Sequence, residues 1–106
     1  MEGSEDSSIV RLSVGGQLFT TTRDTLLSDE NSMLACMFSG RFKVEKDEDG
    51  NCFIDRDGTH FRFILNYLRD GDLPITHFKN KNMLDELIEE VRFYQIESLL
   101  ERLEKE

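Results

Sequence analysis

The apolar pattern of this chain changes its period along the sequence, which favours a small sheet followed by helices. In residues 9–14 three apolar side chains alternate with polar ones, the period of a half-buried β-strand. Residues 17–22 are rich in aromatic and β-branched side chains, and Gly15 and Gly16 join the two runs. Because both glycines tolerate positive φ angles, this link predicts a β-hairpin. Residues 51–55 predict a third short strand.

After these strands, apolar residues recur at helical spacing. Phe61, Ile64, Leu65 and Leu68 follow one another at intervals of three and four residues, after a capping-type entry at residues 57–59. Further aromatic residues in the same segment leave little of its surface for water. The pattern therefore predicts a central helix that is buried on most sides.

Two further amphipathic segments follow the central helix. One has its apolar residues between positions 84 and 91 and is preceded by Asn82, and the other has them between positions 96 and 103. In the second segment, Ser98 and Glu101 have the spacing of a capping box. The chain is long enough for one core and shows no internal repeat, so we expect a single α+β domain: a small three-stranded sheet with a cluster of helices.

A shorter helical region lies between the second and third predicted strands. Thr22 or Asp24 is placed to cap a first short turn, and Ser32 to cap a second helix that carries apolar side chains up to Phe38. The pattern favours a helix buried on two sides. The other interpretation is that Met37 and Phe38 form part of a partner-binding surface, since flexible methionine suits adaptable contacts.

The charge balance excludes several classes of partner. The 106 residues include 22 acidic and 13 basic side chains, with a formal net charge of −9, which disfavours nucleic acid and anionic lipid. No apolar run reaches membrane-spanning length, so direct membrane insertion is not expected. Residues 1–8 predict a disordered acidic tail without a secretory signal, and residues 9–106 predict the folded domain. We expect a cytoplasmic protein, with the nucleus as an alternative compartment.

No set of residues with catalytic spacing is found in the sequence. Cys36 and Cys52 are not spaced as a CxxC pair, and neither is placed beside His60 or His77 along the chain. We expect both thiols to be buried and inert. A zinc site built from these four residues would lack the paired local spacing of structural zinc. The chain is predicted to be non-enzymatic, with no catalytic residue, cofactor or metal.

Four stretches carry a more specific signal: residues 12–21 (LSVGGQLFTT), 32–40 (SMLACMFSG), 53–69 (FIDRDGTHFRFILNYLR) and 90–96 (EVRFYQI). In this order they resemble the BTB/POZ domain of the potassium-channel-tetramerisation type. The resemblance extends over nearly the whole predicted domain. It implies the BTB/POZ fold for residues 9–106.

The resemblance also implies assembly into closed rings of identical copies. The family includes the soluble KCTD proteins, whose rings are usually pentameric, and the cytoplasmic tetramerisation domains of voltage-gated potassium channels. Residues 37–40 and 53–69 look more like KCTD proteins, so we favour a pentamer and keep a tetramer as the alternative. Such rings join one face of a protomer to a different face of its neighbour. The candidate interface residues, whose alternative role is local capping and surface ion pairing, are Arg56, Asp57, Asn66, Arg69 and Asp70.

Many KCTD proteins bind cullin-3 through this domain and serve as substrate adaptors of a ubiquitin ligase. The resemblance thus implies cullin-3 as a partner of this chain. Other KCTD proteins do not bind the cullin, so an auxiliary scaffold for a receptor or channel stays open. The candidate cullin contacts are Met33, Met37, Phe38, Ser39 and Phe42.

Some channel domains of this family share a zinc ion between subunits. Its ligands are a His and a Cys just after the central helix and a Cys pair near the end of the domain. Residues 73–78 (LPITHF) include a histidine without that cysteine, and no cysteine follows Cys52. The comparison therefore implies no zinc site.

Overall fold

The alternating run at the start of the chain forms the central strand of a mixed sheet. The computed structural model describes residues 8–72 and 80–105. Within them, β1 (Ile9–Val14) pairs antiparallel with β2 (Gln17–Thr22) and parallel with β3 (Cys52–Ile54), in the order β2-β1-β3. The predicted hairpin and third strand are confirmed. The parallel pairing of β3 requires a crossover, which residues 23–51 provide.

Five helices lie in the described part of the chain. Two short ones, α1 (Arg23–Leu27) and α2 (Met33–Met37), belong to the crossover between β2 and β3. Three longer ones follow the sheet: α3 (Phe61–Asp70), α4 (Lys81–Tyr94) and α5 (Glu97–Glu104). This arrangement is the predicted α+β class, a small three-stranded sheet with several helices in one domain.

The hairpin turn depends on two glycines with positive φ, Gly15 at 60° and Gly16 at 101°. The two positions differ in their surroundings. A Cβ atom at Gly15 would collide with the carbonyl oxygen of Arg56, whereas nothing lies within 4 Å of one at Gly16. Gly15 also donates its N–H to the carbonyl of Ile54, at 2.9 Å. The turn is therefore held against the segment that leaves β3.

The short crossover helices begin at predicted caps. Thr22 accepts a hydrogen bond from the N–H of Thr25 at 3.2 Å, and Ser32 accepts one from the N–H of Ala35 at 3.1 Å. Each hydroxyl satisfies a backbone donor that the first helical turn leaves unpaired. The prediction for Ser32 is confirmed, and Thr22 rather than Asp24 caps α1.

The longer helices begin differently from the predictions. His60 occupies the N-cap position of α3 without a side-chain capping bond. Asn80, not Asn82, caps α4, with its side chain accepting from the N–H of Met83 at 2.8 Å. Asn82, which precedes the apolar residues of this segment in the sequence, lies inside the first turn of the helix.

The predicted capping box at Ser98 is also absent. Helix α5 begins at Glu97 with Ile96 at the N-cap position, so Ser98 is already inside the helix. Its hydroxyl instead shares a hydrogen bond of 2.7 Å with the Tyr67 hydroxyl. The bond joins α5 to α3 across a gap of 31 residues in sequence, which no local spacing rule detects.

The core lies between the inner face of the sheet and the helices. Aromatic rings are stacked edge to face through it: Phe61 meets Phe19 at 5.1 Å and Tyr94 at 5.3 Å between ring centroids. The buried apolar residues of this cluster are Leu12, Val14, Leu26, Leu34, Ile54, Phe61, Ile64, Leu65, Leu68, Leu87, Val91, Tyr94, Ile96, Leu99 and Leu103. The central position predicted for α3 is confirmed by its four buried apolar residues.

Neither thiol is fully buried, contrary to the prediction. Cys36 is exposed and Cys52 is half-buried, and both are free. Cys36 is exposed because α2 turns Leu34 and Ala35 inward, which leaves the next residue outside.

Two segments that carry predictions lie mostly or wholly outside the described residues. The predicted tail at residues 1–8 lies outside them except for Ser8, and so do residues 73–79. None of the described helices is both long and apolar enough to cross a bilayer.

Candidate interaction surfaces

The residues proposed for cullin contact lie at the end of α2 and in the loop that follows. Met33, Ser39 and the exposed Phe42 are accessible to different degrees, with 59% of Phe42 exposed. Met37 and Phe38 are half-buried and pack against the core. Met37 and Phe38 therefore support the fold. Their part in a partner-binding surface stays a prediction.

Phe38 has a structural role that limits its availability. It occupies the C-cap position of α2, and its carbonyl oxygen accepts a hydrogen bond from Arg23 Nε at 3.1 Å. Because its ring packs against the core, replacing it changes the fold as well as the surface. Phe42 is therefore a cleaner probe of this region than Phe38.

An open groove runs beside α2. It has a volume of about 720 Å³, and its lining includes Met33 and Ser39 together with Cys36, Arg41 and Gln95. Two of the five predicted cullin contacts therefore line one groove, whereas Met37, Phe38 and Phe42 do not line it. The groove mixes apolar and polar groups, as surfaces that bind another protein commonly do.

Arg56, a predicted interface residue, is engaged within its own chain. Its Nε and Nη2 donate to the two carboxylate oxygens of Glu90, at 3.1 and 2.8 Å. Its guanidinium also lies 4.2 Å from the centroid of the Phe93 ring. The paired carboxylate raises the pKa of Arg56 above its ordinary value. This cluster holds the segment after β3 against α4.

Asp57 shapes the same segment. Its Oδ1 accepts hydrogen bonds from the Thr59 hydroxyl at 2.6 Å and the Thr59 N–H at 2.9 Å. These bonds favour the carboxylate form and lower the pKa of Asp57 below its ordinary value of 3.8. The Asp57 side chain itself is exposed. The described contacts of Asp57 are therefore local, as in the alternative role of local capping.

The remaining interface candidates lie near the C-terminal end of α3. Arg69 donates to Asn66 Oδ1 at 3.1 Å and to the carbonyl oxygen of Thr20 at 3.0 Å. Asp70 accepts from the N–H of Asp72 at 3.0 Å. The structure therefore brings Asn66 and Arg69 together beside β2, while Arg56 and Asp57 lie in the segment between β3 and α3.

Some exposed residues were not singled out in the sequence analysis. Leu18 and Phe53 are large, apolar and exposed, and both are in the sheet. The alternation of β2 offered a signal for Leu18, since it must point away from the face that Phe19 uses. A buried His60 that contacts Glu86 at 2.9 Å was also missed. No group of three or more potential metal ligands occurs among the described residues.

Comparison with known proteins then decides the family. The sequence profile of the BTB/POZ domain matches residues 10–103. The chain belongs to the BTB/POZ domain family. It is 45% identical over 100 residues to the BTB/POZ domain-containing protein KCTD21 of both Homo sapiens and Mus musculus. That similarity covers 93% of this chain but only 37% of each relative, so the chain spans little more than a third of their length.

These findings confirm the resemblance to a BTB/POZ domain of the potassium-channel-tetramerisation type. The matched region includes all eight described elements with the exception of Ile9 and Glu104 at their outer ends. Both candidate surfaces, beside α2 and beside β2, are therefore parts of a BTB/POZ domain of KCTD type.

Proposed function

We propose that this chain is a non-catalytic domain of a KCTD-like protein that assembles with copies of itself and recruits cullin-3 as a substrate adaptor. The observation that carries the proposal is the 45% identity to KCTD21 over 93% of the chain. Ring assembly places several cullin sites on one particle, and linked sites bind more tightly than single ones because the later binding events are intramolecular. The proposed location is the cytoplasm.

For the assembly contacts, the residues near the C-terminal end of α3 are better supported than the segment after β3. Arg69 is exposed, and it already joins α3 to the edge strand through Thr20. Arg56 and Asp57 keep a supporting role, since their described bonds shape the segment itself. Asn66, Arg69 and Asp70 are thus the proposed polar contacts of the ring.

For cullin-3, the proposed contact surface joins Met33 and Ser39 in the groove to Phe42 in the loop. Phe42 contributes exposed aromatic surface, and aromatic anchors commonly supply much of the binding energy at protein interfaces. Met37 and Phe38 pack against the core and so hold α2 and the start of the loop in place.

Titration calorimetry with the N-terminal region of cullin-3 tests the adaptor role. We expect the wild-type chain to bind, and Phe42→Asp to lose at least about tenfold in affinity because it replaces an aromatic anchor with a charge. Met83→Asp is the matched control, since Met83 is also exposed and apolar but lies on α4.

An intact wild-type oligomer that gives neither heat nor co-migration with cullin-3 overturns the adaptor role. The chain would then fit better as a scaffold that does not bind the cullin. Equal loss of binding in Phe42→Asp and Met83→Asp contradicts the proposed location of the cullin surface.

A further inference from the structure

Ser39 lies just beyond the end of α2, in a segment without a helix or a strand. Its hydroxyl donates a hydrogen bond to the carbonyl oxygen of Cys36 at 2.9 Å and accepts one from the N–H of Arg41 at 3.3 Å. The side chain is half-buried and lines the groove beside α2. Because the backbone around Ser39 is irregular, another enzyme can bind this segment without breaking a helix or a strand.

Basic side chains lie around Ser39. The Nε of Arg41 lies 3.4 Å from the Ser39 hydroxyl oxygen, and the exposed Lys43 follows two residues later. Arg23 donates from its Nε to the carbonyl oxygen of Phe38, the residue before Ser39, at 3.1 Å. The surroundings of Ser39 are therefore mainly positive, in a chain whose formal net charge is −9.

Two other exposed serines have acidic surroundings instead. Ser28 is followed directly by two acidic residues, and Ser98 lies between Glu97 and Glu101. Kinases distinguish their substrates in part by the charges that flank the target hydroxyl. The basic residues two and four positions after Ser39 suit a kinase with an acidic substrate cleft, and the surroundings of Ser28 and Ser98 do not.

We propose that Ser39 is phosphorylated by a kinase that selects basic residues after the serine, and that this phosphate weakens the binding of cullin-3 at the groove. In the reaction, the Ser39 Oγ forms a bond to the γ-phosphorus of ATP while the bond from that phosphorus to the β-phosphate oxygen breaks. ADP leaves, and a basic group of the kinase takes the hydroxyl proton. The inference rests on the proposed function and adds its regulation.

The phosphate changes the contacts of Ser39 within its own chain. Once its proton is lost, Oγ no longer donates to the carbonyl oxygen of Cys36, and the phosphate oxygens repel that carbonyl at the C-terminal end of α2. The same oxygens attract the guanidinium of Arg41, which already reaches Oγ. Arg41 is thereby paired within its own chain and is withdrawn from contact with a partner.

The phosphate also opposes a partner that covers the groove. It adds a charge of about −1.5 to −2 at neutral pH. The lining of the groove includes apolar side chains such as Met33 and the acidic Glu30, and neither stabilises a second negative charge. A bound partner would bury the phosphate, and burial of an incompletely paired charge is costly. The phosphorylated chain is therefore expected to bind cullin-3 more weakly.

Mass spectrometry tests the modification site. The purified 106-residue chain is incubated with ATP, Mg²⁺ and a serine kinase that selects arginine two residues after its target. We expect one phosphoryl group on Ser39, added at least about tenfold more slowly to Arg41→Gln. An unmodified Ser39 overturns the site. The wild-type rate in Arg41→Gln overturns recognition through Arg41.

Titration calorimetry with the N-terminal region of cullin-3 tests the regulation. We expect phosphorylated wild type to bind at least about tenfold more weakly than the unmodified chain, and treatment with a phosphatase to restore the affinity. Ser39→Asp is expected to weaken binding as well. Ser98→Asp is the matched control, since Ser98 is also an exposed serine but does not line the groove, and it keeps the wild-type affinity.

The possible failures are distinguishable. Equal affinity of the phosphorylated and unmodified chains overturns the regulation. A wild type that does not bind cullin-3 overturns the proposed function, whereas the mass spectrum still decides whether Ser39 is a modification site. Circular dichroism of the phosphorylated chain is expected to match that of the unmodified chain. Loss of the helical signal would mean that the phosphate unfolds the domain, which overturns an effect confined to the groove.

Discussion

At Gly15, the hairpin turn of the sheet meets the segment that leads into α3. A positive φ there favours glycine, and so it does at Gly16, but only at Gly15 would a Cβ atom meet backbone, the carbonyl oxygen of Arg56. A comparison of substitutions at the two glycines therefore distinguishes the cost of a positive φ from the cost of a steric collision. Gly15 connects the hairpin to the rest of the fold, whereas Gly16 only forms the turn.

We predict that Gly15→Ala lowers the free energy of unfolding by about 2 kcal/mol more than Gly16→Ala, since overpacking adds to the strain that both share. Chemical denaturation of both variants measures the difference. Equal losses of unfolding free energy would mean that the backbone at Arg56 moves away from a Cβ atom at position 15 at little cost.

The lowered pKa of Asp57 gives a prediction for acid. The pKa of folded Asp57 lies below its ordinary value of 3.8, so the folded state binds fewer protons than the unfolded state. Its contribution to stability is therefore present above the ordinary pKa and is lost as the pH falls through the folded value. Asp57→Asn removes this pH-dependent contribution.

Thermal melting at a pH of about 7 and of about 3 measures this effect. We expect the Tm of Asp57→Asn to fall less on acidification than the Tm of the wild type. Asp55→Asn is the control, since Asp55 is exposed and makes no hydrogen bond within the described residues. The same acid sensitivity in wild type and Asp57→Asn would contradict a stabilising role for the Asp57–Thr59 bonds.

Among the elements, α4 is joined to the segment after β3 by a bidentate ion pair. Glu90 keeps only 14% of its side chain exposed and Arg56 31%, so water screens this pair less than the other ion pairs between described Arg or Lys and acidic residues. The Phe93 ring beneath the guanidinium adds a cation–π contact. A pair of this kind contributes more than most surface ion pairs.

A double-mutant cycle with Arg56→Met and Glu90→Gln measures that contribution. We predict a coupling free energy of about 1 to 2 kcal/mol in unfolding experiments. The cycle for Arg92 and Glu104, a more exposed pair at 2.7 Å, is expected to give less than about 1 kcal/mol. Coupling energies in the opposite order would contradict the link between burial and strength.

Features formed by residues that are near one another in sequence were predictable, and features formed by residues far apart in sequence were not. Strands β1 and β2 and the cap at Ser32 were predictable because alternation, a Gly-Gly link and a hydroxyl at the N-cap are local. The start of α5 was not, since Ser98 bonds to Tyr67 on α3 instead of capping its own helix. The pairs Arg56–Glu90 and His60–Glu86 likewise join residues 34 and 26 positions apart.

The candidate site was predictable only in outline. The resemblance to the family indicated the region around Phe42, which is exposed as a contact residue must be. It gave Phe38 and Phe42 alike as candidate contacts, and only packing shows that Phe38 supports the core. Which residues share one face of the sheet depends on the register of β3 against β1, and sequence alone does not specify that register.

Across the whole molecule, the charges that sum to −9 are unevenly distributed. The sheet carries a single charge, that of Arg11, whereas residues 80–105 carry seven acidic and four basic side chains. Copies of such a chain repel one another at long range, and contact between regions of opposite charge opposes that repulsion. Uneven charge of this kind favours head-to-tail contact over contact between like faces.

The central claim, that this BTB/POZ domain acts as a closed ring of identical copies, is tested most directly by the mass of the purified chain in solution. Light scattering is predicted to give about 62 kDa, five times the 12.4 kDa of one chain, at every concentration above the dissociation threshold. About 50 kDa would indicate four copies and favour the channel type of assembly. A mass of 12.4 kDa at all accessible concentrations would contradict the account.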